Sequence, residues 1–300
     1  MKQKNSTHET VLLAETVDGL DLKQKGVAID ATVGVGGHAE RIAKMLGKGG
    51  TLMVLDADDH SLNLSKERLA DAPAKVIFVQ GNFRNLKELA SDAGVTSAQG
   101  IVFDLGWHSD QLAGGRGLSF KSEEPLIMTL GTHGDYPLTA KDIIADWDEE
   151  EIAKIIREYG EERFSGRIAR VIVEHRDKKP IETARELGEI IFSAVPGFYR
   201  HGKLHPATRT FQALRIAVND ELNALTEALI QAIDLLTPGG RVAVISFHSL
   251  EDRIVKRAFR EAEERGEGKR ITKKPLVAGD DERARNPRAR SAKLRIFQKK

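Results

Sequence analysis

The chain has 300 residues, of which 40% are hydrophobic, so it can form one large domain or one domain that carries an insertion. It contains no cysteine, no apolar run near the ~20 residues that span a bilayer, and no signal peptide, so we expect a cytoplasmic protein without disulfides. The net charge of +1 hides an asymmetry: residues 269–300 hold 12 Lys or Arg against 3 acidic residues, whereas the remainder carries a net charge of −8.

The first hundred residues alternate between strand-like and helix-like segments, and a further strand follows near residue 241. Strands alternating with helices indicate right-handed crossovers and a parallel sheet. The predicted fold is therefore α/β, a doubly wound, Rossmann-like sheet. The predicted strands are Val27–Ala31, Thr51–Asp56, Lys75–Val79, Gly100–Leu105 and Arg241–Phe247, and the first helices are Ala39–Leu46, Ser61–Leu69 and Asn85–Ala93.

The middle of the chain lacks a convincing buried strand. Four amphipathic helices are predicted there, with apolar residues at helical spacing; they are Ala140–Asp146, Glu149–Tyr159, Arg163–Arg176 and Thr183–Ala194. A long helix, Ala207–Leu236, follows, and the alternating segment Ala292–Phe297 predicts a final edge strand. We therefore predict that residues 1–110 and 205–300 form the sheet domain, the latter ending in a basic tail, and that residues 111–204 form an inserted helical domain for substrate recognition.

A glycine cluster, Gly34-x-Gly36-Gly37, lies between the first predicted strand and its helix. Asp30, Asp56 and Asp104 each stand at the end of a predicted strand, and Phe83 follows another. The carboxyl ends of parallel strands meet at one edge of the sheet, so these side chains are expected to surround one crevice. An ordinary tight turn is the alternative reading of the glycines alone.

The pattern differs from the G-x-G-x-x-G turn of dinucleotide-binding proteins, and no basic residue is clearly dedicated to a phosphate. A site with one glycine turn and several acids suits a cofactor without phosphate and with a positively charged end. S-adenosylmethionine is therefore favoured over a nicotinamide dinucleotide, and Asp56 is placed to accept the ribose hydroxyls. No cluster has the ligand spacing of a structural zinc, so no metal is predicted.

Several longer segments resemble the ribosomal RNA small subunit methyltransferase H family, also called RsmH or MraW, over nearly the whole chain. They are, in chain order, His8–Leu13 (HETVLL), Gly34–His38 (GVGGH), Asp104–Gly106 with Gln111-Leu112, Arg116–Phe120 (RGLSF), Tyr159–Phe164 (YGEERF), His205–Arg215 (HPATRTFQALR), Ile245–Lys256 (ISFHSLEDRIVK) and Asn286–Ser291 (NPRARS). The resemblance implies methyl transfer from S-adenosylmethionine to N4 of a cytidine in the decoding region of 16S ribosomal RNA. It also implies a set of cofactor-binding residues, namely Gly36, Gly37, His38, Asp56, Phe83, Asp104 and Gln111.

The chain departs from the family pattern at two places near the expected entrance for the substrate base. The family's D-L-G-V-S-S-P-Q-L is changed at Trp107-His108 and Asp110, and its G-P-L-D-M-R-M-D loses three charged residues at Ile127, Thr129 and Gly131. A retargeted or catalytically weakened RNA-binding or ribosome-assembly protein is therefore an alternative to the standard activity. A dinucleotide-dependent oxidoreductase is a third hypothesis, which the glycine pattern and the basic tail disfavour.

The predicted catalytic residue is Asp104, as a hydrogen-bond acceptor for the reacting amine. Candidate substrate-binding residues are Trp107 and Phe120 as stacking rings, His205 and Arg209 near the domain junction, His248, and the tail residues Arg288 and Arg290. A basic tail on an acidic body indicates a polyanion such as RNA as the partner. The resemblance implies 16S ribosomal RNA within the small ribosomal subunit. The alternatives are core packing for the aromatic rings, an ion-paired hinge for His205 and Arg209, and a solvated tail. Ser249 and Asp252 are predicted to cap the helix that follows His248.

Overall fold

A computed structural model of the chain describes residues 9–106, 114–131 and 136–300. Within these residues the strands are β1 (Val27–Asp30), β2 (Thr51–Asp56), β3 (Lys75–Gln80), β4 (Ala98–Asp104), β5 (Leu236–Ser246), β6 (Gly268–Arg270) and β7 (Lys293–Lys299). The helices are α1 (Leu13–Gly19), α2 (Gly37–Leu46), α3 (Asp59–Arg68), α4 (Leu86–Asp92), α5 (Ala140–Asp146), α6 (Glu149–Glu158), α7 (Ser165–Arg176), α8 (Ala184–Ala194), α9 (Gly197–Arg200), α10 (Ala207–Asn219), α11 (Glu221–Leu235), α12 (Ser249–Glu264) and α13 (Asp280–Arg285).

The described strands form one sheet in the order β3-β2-β1-β4-β5-β7-β6. Strands β1 to β5 pair in parallel, and β7 pairs antiparallel with both β5 and β6. Short apolar strands such as Val27–Asp30 are buried because helices cover both faces, where two separate clusters of apolar side chains pack. The predicted α/β, Rossmann-like fold is confirmed, and the order of the parallel strands brings the ends of β1, β2 and β4 side by side.

The last strand differs from its prediction. Residues 293–299 lie inside the sheet, because the short strand β6 pairs with the side of β7 that we predicted to be an edge. Strand β6 has the sequence Gly-Lys-Arg, which carries no apolar pattern, so sequence periodicity does not reveal it. The basic segment 269–300 therefore contributes two strand segments to the sheet rather than forming a solvated tail.

The contacts divide the chain into two compact units. Residues 9–106 and 222–300 belong to the sheet unit, and the described residues between them, through Glu221, belong to the helical unit. The predicted long helix 207–236 is broken at Asp220, which adopts a left-handed conformation with φ of 47° and separates α10 from α11. Helix α10 belongs to the helical unit, so that unit ends at Glu221 rather than at the predicted residue 204.

The helical unit is built from amphipathic helices with clear start signals. Helix α6 begins with a capping box in which Asp148 accepts from the Glu151 N–H and Glu151 reaches back to the Asp148 N–H. Its apolar side chains Ile152, Ile155 and Ile156 are buried in the core of this unit, as the predicted spacing requires. In the described part of the chain, no helix is both long and apolar enough to cross a membrane.

Candidate active site

The glycine turn connects β1 to α2 in the sheet unit. Gly34 and Gly36 have φ values of 50° and 83°, a region that side-chain-bearing residues seldom adopt, and Gly36 caps α2. A Cβ atom on Gly37 would lie 1.8 Å from the Thr10 side-chain oxygen, so this position has no room for a side chain. The turn thus requires the glycines for its backbone path and for its close packing.

Three carboxylates lie at the carboxyl ends of three adjacent parallel strands. Asp30 ends β1, Asp56 ends β2 and Asp104 ends β4. Asp56 also supports the glycine turn, because its two oxygens accept hydrogen bonds from Gly34 N at 2.9 Å and Asp58 N at 3.0 Å. The predicted convergence of these acids is therefore present in the structure.

Burial raises the pKa of all three acids above the usual range for aspartate. The pKa of Asp30 rises to about 8, chiefly through burial and further through the negative charges of Asp104 and Asp56. The pKa of Asp56 rises to about 6, where burial outweighs its backbone hydrogen bonds. A group of acids that resists full ionisation favours a ligand that brings positive charge to this edge of the sheet.

Asp104 is partly exposed, whereas Asp30 is buried. Its backbone N–H donates to Thr32 Oγ1 at 2.6 Å, which joins the end of β4 to the turn that follows β1. Its Oδ2 lies 3.6 Å from Nδ1 of the buried His38, and its Oδ1 is buried without a hydrogen-bond partner among the described residues. Because a buried acceptor without a donor is unfavourable, Oδ1 is suited to receive a hydrogen bond from a ligand.

The electrostatics of Asp104 depend on two residues from the C-terminal part of the chain. Burial raises its pKa to about 7, the positive charge of Arg288 lowers it, and the negative charge of Glu251 raises it. The Arg288 guanidinium also lies over the ring of Phe247, 5.4 Å from the centroid. Arg288 is therefore placed at this site, beside the ring of Phe247.

His248 caps α12, so the cap begins one residue earlier than Ser249. The His248 side chain accepts from the Glu251 N–H, and the Glu251 carboxylate accepts from Phe247 N at 2.7 Å and His248 N at 3.2 Å. The predicted cap formed by Ser249 and Asp252 is wrong in its residues, although the helix does begin with a capping box. Asp252 instead forms an ion pair with Arg295 at 2.7 Å.

Several basic residues of the C-terminal segment have acidic partners within the fold. Arg285 pairs with Glu9 at 2.6 Å, and the buried Arg295 pairs with Asp252. Arg215, in the helical unit, pairs with Glu221 at 2.8 Å. Each of these three arginines therefore has an acidic partner within the fold. Arg290 is exposed, and its Nε donates to the carbonyl of Arg283 at 3.2 Å.

Phe120, His205 and Arg209 all lie in the helical unit. The rings of Phe120 and His205 stack with centroids 4.3 Å apart and planes 7° apart. Arg209 is partly exposed and lies 3.9 Å from the buried carboxylate of Glu162, which also accepts a hydrogen bond from the Tyr199 hydroxyl at 2.5 Å. The aromatic ring and the histidine predicted from separate motifs are therefore in contact.

The altered segment 127–131 is packed within the helical unit. Thr129 is buried, and the side chain of Asn219 donates to the Met128 carbonyl at 2.8 Å and accepts from Leu130 N at 2.7 Å. Arg116 donates to the carbonyls of Leu130 and Gly131. The residues that replace charged groups of the family pattern therefore belong to a segment that is held by hydrogen bonds to Asn219 and Arg116.

The remaining predicted residues divide into three groups. One group lies around the sheet edge described above and consists of Gly36, Gly37, His38, Asp56 and Asp104. Phe83 follows β3, and its ring packs edge-on against Phe103, with the ring centroids 5.8 Å apart. Trp107 and Gln111 lie outside the described residues. Sequence reasoning did not identify Thr32 or Glu251 as part of the site; the position of Thr32, directly after a strand, was the available signal.

The sheet order, the glycine turn and the acids at adjacent strand ends define a Rossmann-like methyltransferase fold. The model of the MraW methylase family matches residues 5–300, and the chain belongs to that family.

The chain is also similar to individual proteins. Ribosomal RNA small subunit methyltransferase H of Brevibacillus brevis is 46% identical over 308 residues, and the match covers 97% of this chain and 98% of that protein. A solved structure of a putative rRNA-methylase from Clostridium thermocellum has a TM-score of 0.45 at 13% identity and covers 97% of this chain and 99% of its own. NSun6 from Pyrococcus horikoshii has a TM-score of 0.46 at 14% identity, with coverages of 97% and 52%.

Proposed function

We propose that this protein transfers a methyl group from S-adenosylmethionine to N4 of a cytidine in the decoding region of 16S ribosomal RNA. The family membership and the name of the Brevibacillus relative support a methyltransferase for small-subunit ribosomal RNA. The observation that carries the chemistry is the buried Oδ1 of Asp104 at the end of β4, which has no hydrogen-bond partner among the described residues. Such a substrate implies a cytoplasmic enzyme that acts on RNA, within the small ribosomal subunit.

The residues at the sheet edge fit the cofactor. The glycine turn of Gly34, Gly36 and Gly37 allows close approach of a ligand to the backbone, and Asp56 retains acceptor capacity on each oxygen for the ribose hydroxyls. Phe83 is a candidate to cover the adenine, and Gln111 to bind it from its segment after β4. His38 and Asp104 would face the charged amino-acid end. When bound, the cofactor supplies an electrophilic methyl group on a positively charged sulfur.

Asp104 is proposed to orient the nucleophile. The N4 lone pair of cytosine is delocalised into the ring, so the enzyme must hold the amine in line with the methyl group, about 3 Å away. A hydrogen bond from the amine to Asp104 Oδ1 would fix that orientation and stabilise the positive charge that develops on nitrogen. The proton leaves N4 after transfer, and a carboxyl with a pKa near 7 is suited to accept it.

Access to N4 requires that the target base leaves its stack, as in other enzymes that modify bases. Trp107 and Phe120 are proposed as stacking partners for RNA bases. His205 and Arg209 of the helical unit, and His248, Arg288 and Arg290 of the sheet unit, are proposed as contacts for the RNA backbone or bases. His248 would combine this role with capping α12, and Arg288 would combine it with its electrostatic effect on Asp104.

The second candidate is a protein that binds the cofactor and RNA but no longer transfers the methyl group. The uncharged residues at Ile127, Thr129 and Gly131 favour it, because charged groups near the substrate entrance are lost. The hydrogen bonds that Asn219 and Arg116 donate to this segment argue instead for a tolerated structural variation.

Transfer of label from S-adenosylmethionine to small ribosomal subunits that lack cytidine N4 methylation tests the proposal. Incorporation into the small subunit, together with thermal stabilisation by S-adenosylhomocysteine but not by NAD, is the expected result. Thermal stabilisation without incorporation would favour the binding protein. Stabilisation by NAD alone would overturn both candidates in favour of an oxidoreductase.

A further inference from the structure

A short N-terminal segment, residues 9–12, lies on the glycine turn of the sheet unit. The Thr10 side chain fills the space beside Gly37, where an added Cβ atom would overlap the Thr10 hydroxyl oxygen. Leu12 is buried and has a left-handed backbone conformation, with φ of 50°. The N-terminal segment therefore shares a close contact with the turn that forms one wall of the proposed cofactor site.

Residues from a distant part of the chain hold the N-terminal segment in place. Glu282 of α13 accepts a hydrogen bond from Leu12 N at 2.8 Å, and Arg285 donates to the Glu9 carboxylate at 2.6 Å. Asn286 donates through Nδ2 to the Glu9 carbonyl oxygen at 3.0 Å. Arg285 is exposed, whereas only 6% of Asn286 is exposed, so the bond from Asn286 is the one that water replaces least readily.

The same Asn286 side chain begins the short 3₁₀-helix Pro287–Arg290. Its Oδ1 accepts from Arg288 N at 3.2 Å, and its carbonyl oxygen accepts from Ala289 N at 3.1 Å. Ala289 is buried in the apolar cluster on one face of the sheet. One end of the Asn286 amide therefore binds the N-terminal segment and the other binds the turn that carries Arg288. Loss of either bond would leave a buried polar group without its partner, which is costly.

Arg288 connects this turn with Asp104. Its guanidinium lies over the Phe247 ring, 5.4 Å from the centroid. That ring packs against Gly106, where an added Cβ atom would lie 3.2 Å from Phe247 Cδ2, and Gly106 follows Asp104 by two residues. The positive charge of Arg288 acts on Asp104 and favours its carboxylate form. The aromatic ring therefore supports a cation near the candidate catalytic residue.

The surroundings of Asp104 contain groups of both signs. Within the described residues, the charged and titratable side chains that act on it are His38 of α2, Asp30 of β1, Glu251 of α12 and Arg288. The negative charge of Glu251 raises the pKa of Asp104, and the positive charge of Arg288 lowers it. Arginine keeps its charge over the whole range in which a carboxyl titrates. The position of Arg288 therefore controls how readily Asp104 ionises.

We propose that Asn286 is a positioning residue for methyl transfer. Its side chain fastens the turn that carries Arg288 to the segment that packs on the glycine turn, and this holds the Arg288 cation beside Asp104. The inference rests on the proposed function, because it acts through the role of Asp104 toward N4. Asn286 is not itself a catalytic residue, since both ends of its amide bind the backbone of the protein.

The test follows the pH dependence of methyl transfer to small ribosomal subunits by the full-length protein. Asn286→Ala removes both side-chain hydrogen bonds, whereas Asn286→Ser keeps an acceptor for Arg288 N but is too short to bind Glu9. Asn63→Ser makes the same change at an exposed position of α3 and is the matched control. Profiles of kcat/KM from about pH 6 to about pH 9 report the pKa values of the free enzyme. Calorimetry with S-adenosylhomocysteine identifies the variants that fold, and Asn286→Ser decides if Asn286→Ala does not bind.

Loss of Asn286 should raise the pKa of Asp104, because the Arg288 cation is no longer held close to it. The inflection of kcat/KM should move upward by about 1 pH unit in Asn286→Ala, and by less in Asn286→Ser. At pH 7 the ionised fraction of Asp104 then falls from about one half to about one tenth, so kcat/KM should fall about fivefold. Toward higher pH the variant should approach the wild type, whereas Asn63→Ser should follow the wild type throughout.

A double variant establishes whether Asn286 acts through Arg288. Arg288→Met removes the cation but keeps an unbranched side chain beside Phe247, and it should move the inflection upward by itself. Addition of Asn286→Ala to Arg288→Met should move the inflection no further, because the two residues act in one series. Equal shifts in the wild-type and Arg288→Met backgrounds would overturn the proposal.

Failure of the positioning role and failure of the proposed function give different results. If the wild type methylates the subunit but the Asn286 variants keep its inflection, or lose the same fraction of kcat/KM at every pH, the positioning role is overturned and the proposed function stands. If the wild type binds S-adenosylhomocysteine but transfers no methyl group, the proposed function fails and the positioning role fails with it.

Discussion

His38 Nδ1 lies 3.6 Å from Asp104 Oδ2, and this contact joins the first turn of α2 to the end of β4. The glycine turn brings His38 to this position, and Thr32 Oγ1 holds the backbone of Asp104 from the other side. Oδ2 of Asp104 therefore has a neighbour in the protein, while Oδ1 has no hydrogen-bond partner in the part of the chain that the structure describes.

Asp104→Asn should lower kcat for methyl transfer by about 100-fold, because the amide cannot accept the proton or carry the charge that stabilises the developing cation on nitrogen. The affinity for S-adenosylhomocysteine, measured by calorimetry, should change by less than about threefold, since the amide keeps an oxygen acceptor. Asp18→Asn, which alters an exposed carboxylate paired with Arg41, is the matched control. A loss of affinity as large as the loss of rate would limit Asp104 to its place at the amino-acid end of the cofactor and exclude its role toward N4.

The wild-type rate should also depend on pH through the same group. Burial raises the pKa of Asp104 to about 7, so the fraction of carboxylate available as an acceptor grows as the pH rises through that value. The profile of kcat/KM against pH should therefore rise through an inflection near 7, and the inflection should be absent in Asp104→Asn. A wild-type profile that is flat between pH 6 and pH 8, a range of ~1 pH unit on either side of the pKa of Asp104, contradicts this role.

Asp30→Asn should change the dependence of stability on pH. The folded protein raises the pKa of Asp30 to about 8, so the carboxyl keeps its proton after the unfolded chain has lost it. The raised pKa of Asp30 stabilises the folded state at low pH. This stabilisation is complete below the unfolded pKa near 3.8, and it is lost as the pH rises toward 8. Asparagine resembles the protonated form at every pH.

The variant should therefore gain stability relative to the wild type as the pH rises from 5.5 to 8.5, by roughly 2 °C or more in Tm. Thermal unfolding monitored by circular dichroism at both pH values measures the difference, and Asp280→Asn serves as an exposed control. Equal differences between variant and wild type at the two pH values would refute the raised pKa of Asp30.

Gly37→Ala should disrupt the glycine turn. The added Cβ atom meets the Thr10 side chain at 1.8 Å, so the turn or residue 10 must move, and we expect the affinity for S-adenosylhomocysteine to fall at least about tenfold. The double variant Thr10→Gly with Gly37→Ala removes the clashing atoms and should recover most of that loss. Gly166→Ala, at a helical position with open space around it, is the control. Failure of the double variant to recover any affinity would exclude this steric explanation.

Arg295 and Arg290 should separate folding from RNA binding. Arg295→Ala leaves Lys293 as the cationic neighbour of Asp252 among the described residues. It should lower the free energy of unfolding by about 3 kcal/mol, because Arg295 is buried and the carboxylate of Asp252 is largely buried. Arg290→Ala should leave unfolding unchanged but reduce the slope of log affinity for RNA against log salt concentration by about 0.7 to 1. Denaturant titration and salt-dependent RNA binding measure the two effects. An unchanged slope in Arg290→Ala would remove Arg290 from the RNA contacts.

The sequence predicts the parallel strands well because Val27–Asp30, Thr51–Asp56 and Ala98–Asp104 are short apolar runs that end at an acid. The break between α10 and α11 is not predictable from periodicity, because apolar residues continue on both sides of Asp220. Strand β6 is recognisable only from its pairing with β7.

The same distinction holds for the site. Asp30, Asp56 and Asp104 are predictable together, because each ends a strand and adjacent parallel strands end at one edge. The contribution of Arg288 and Glu251 to the charge around Asp104 depends on tertiary contacts between distant parts of the chain, for which local spacing gives no signal. The pairing of Arg295 with Asp252 is of the same kind, and a count of basic residues does not reveal it.

The most direct measurement is nucleoside mass spectrometry of small ribosomal subunits that lacked cytidine N4 methylation before incubation with this protein and S-adenosylmethionine. We predict N4-methylcytidine at a single position in the decoding region of the 16S RNA, and its absence when Asp104→Asn replaces the wild type. A methyl group on another atom or in another RNA would contradict the proposed substrate. The absence of any methylated product, with S-adenosylhomocysteine binding intact, would contradict the proposed activity itself.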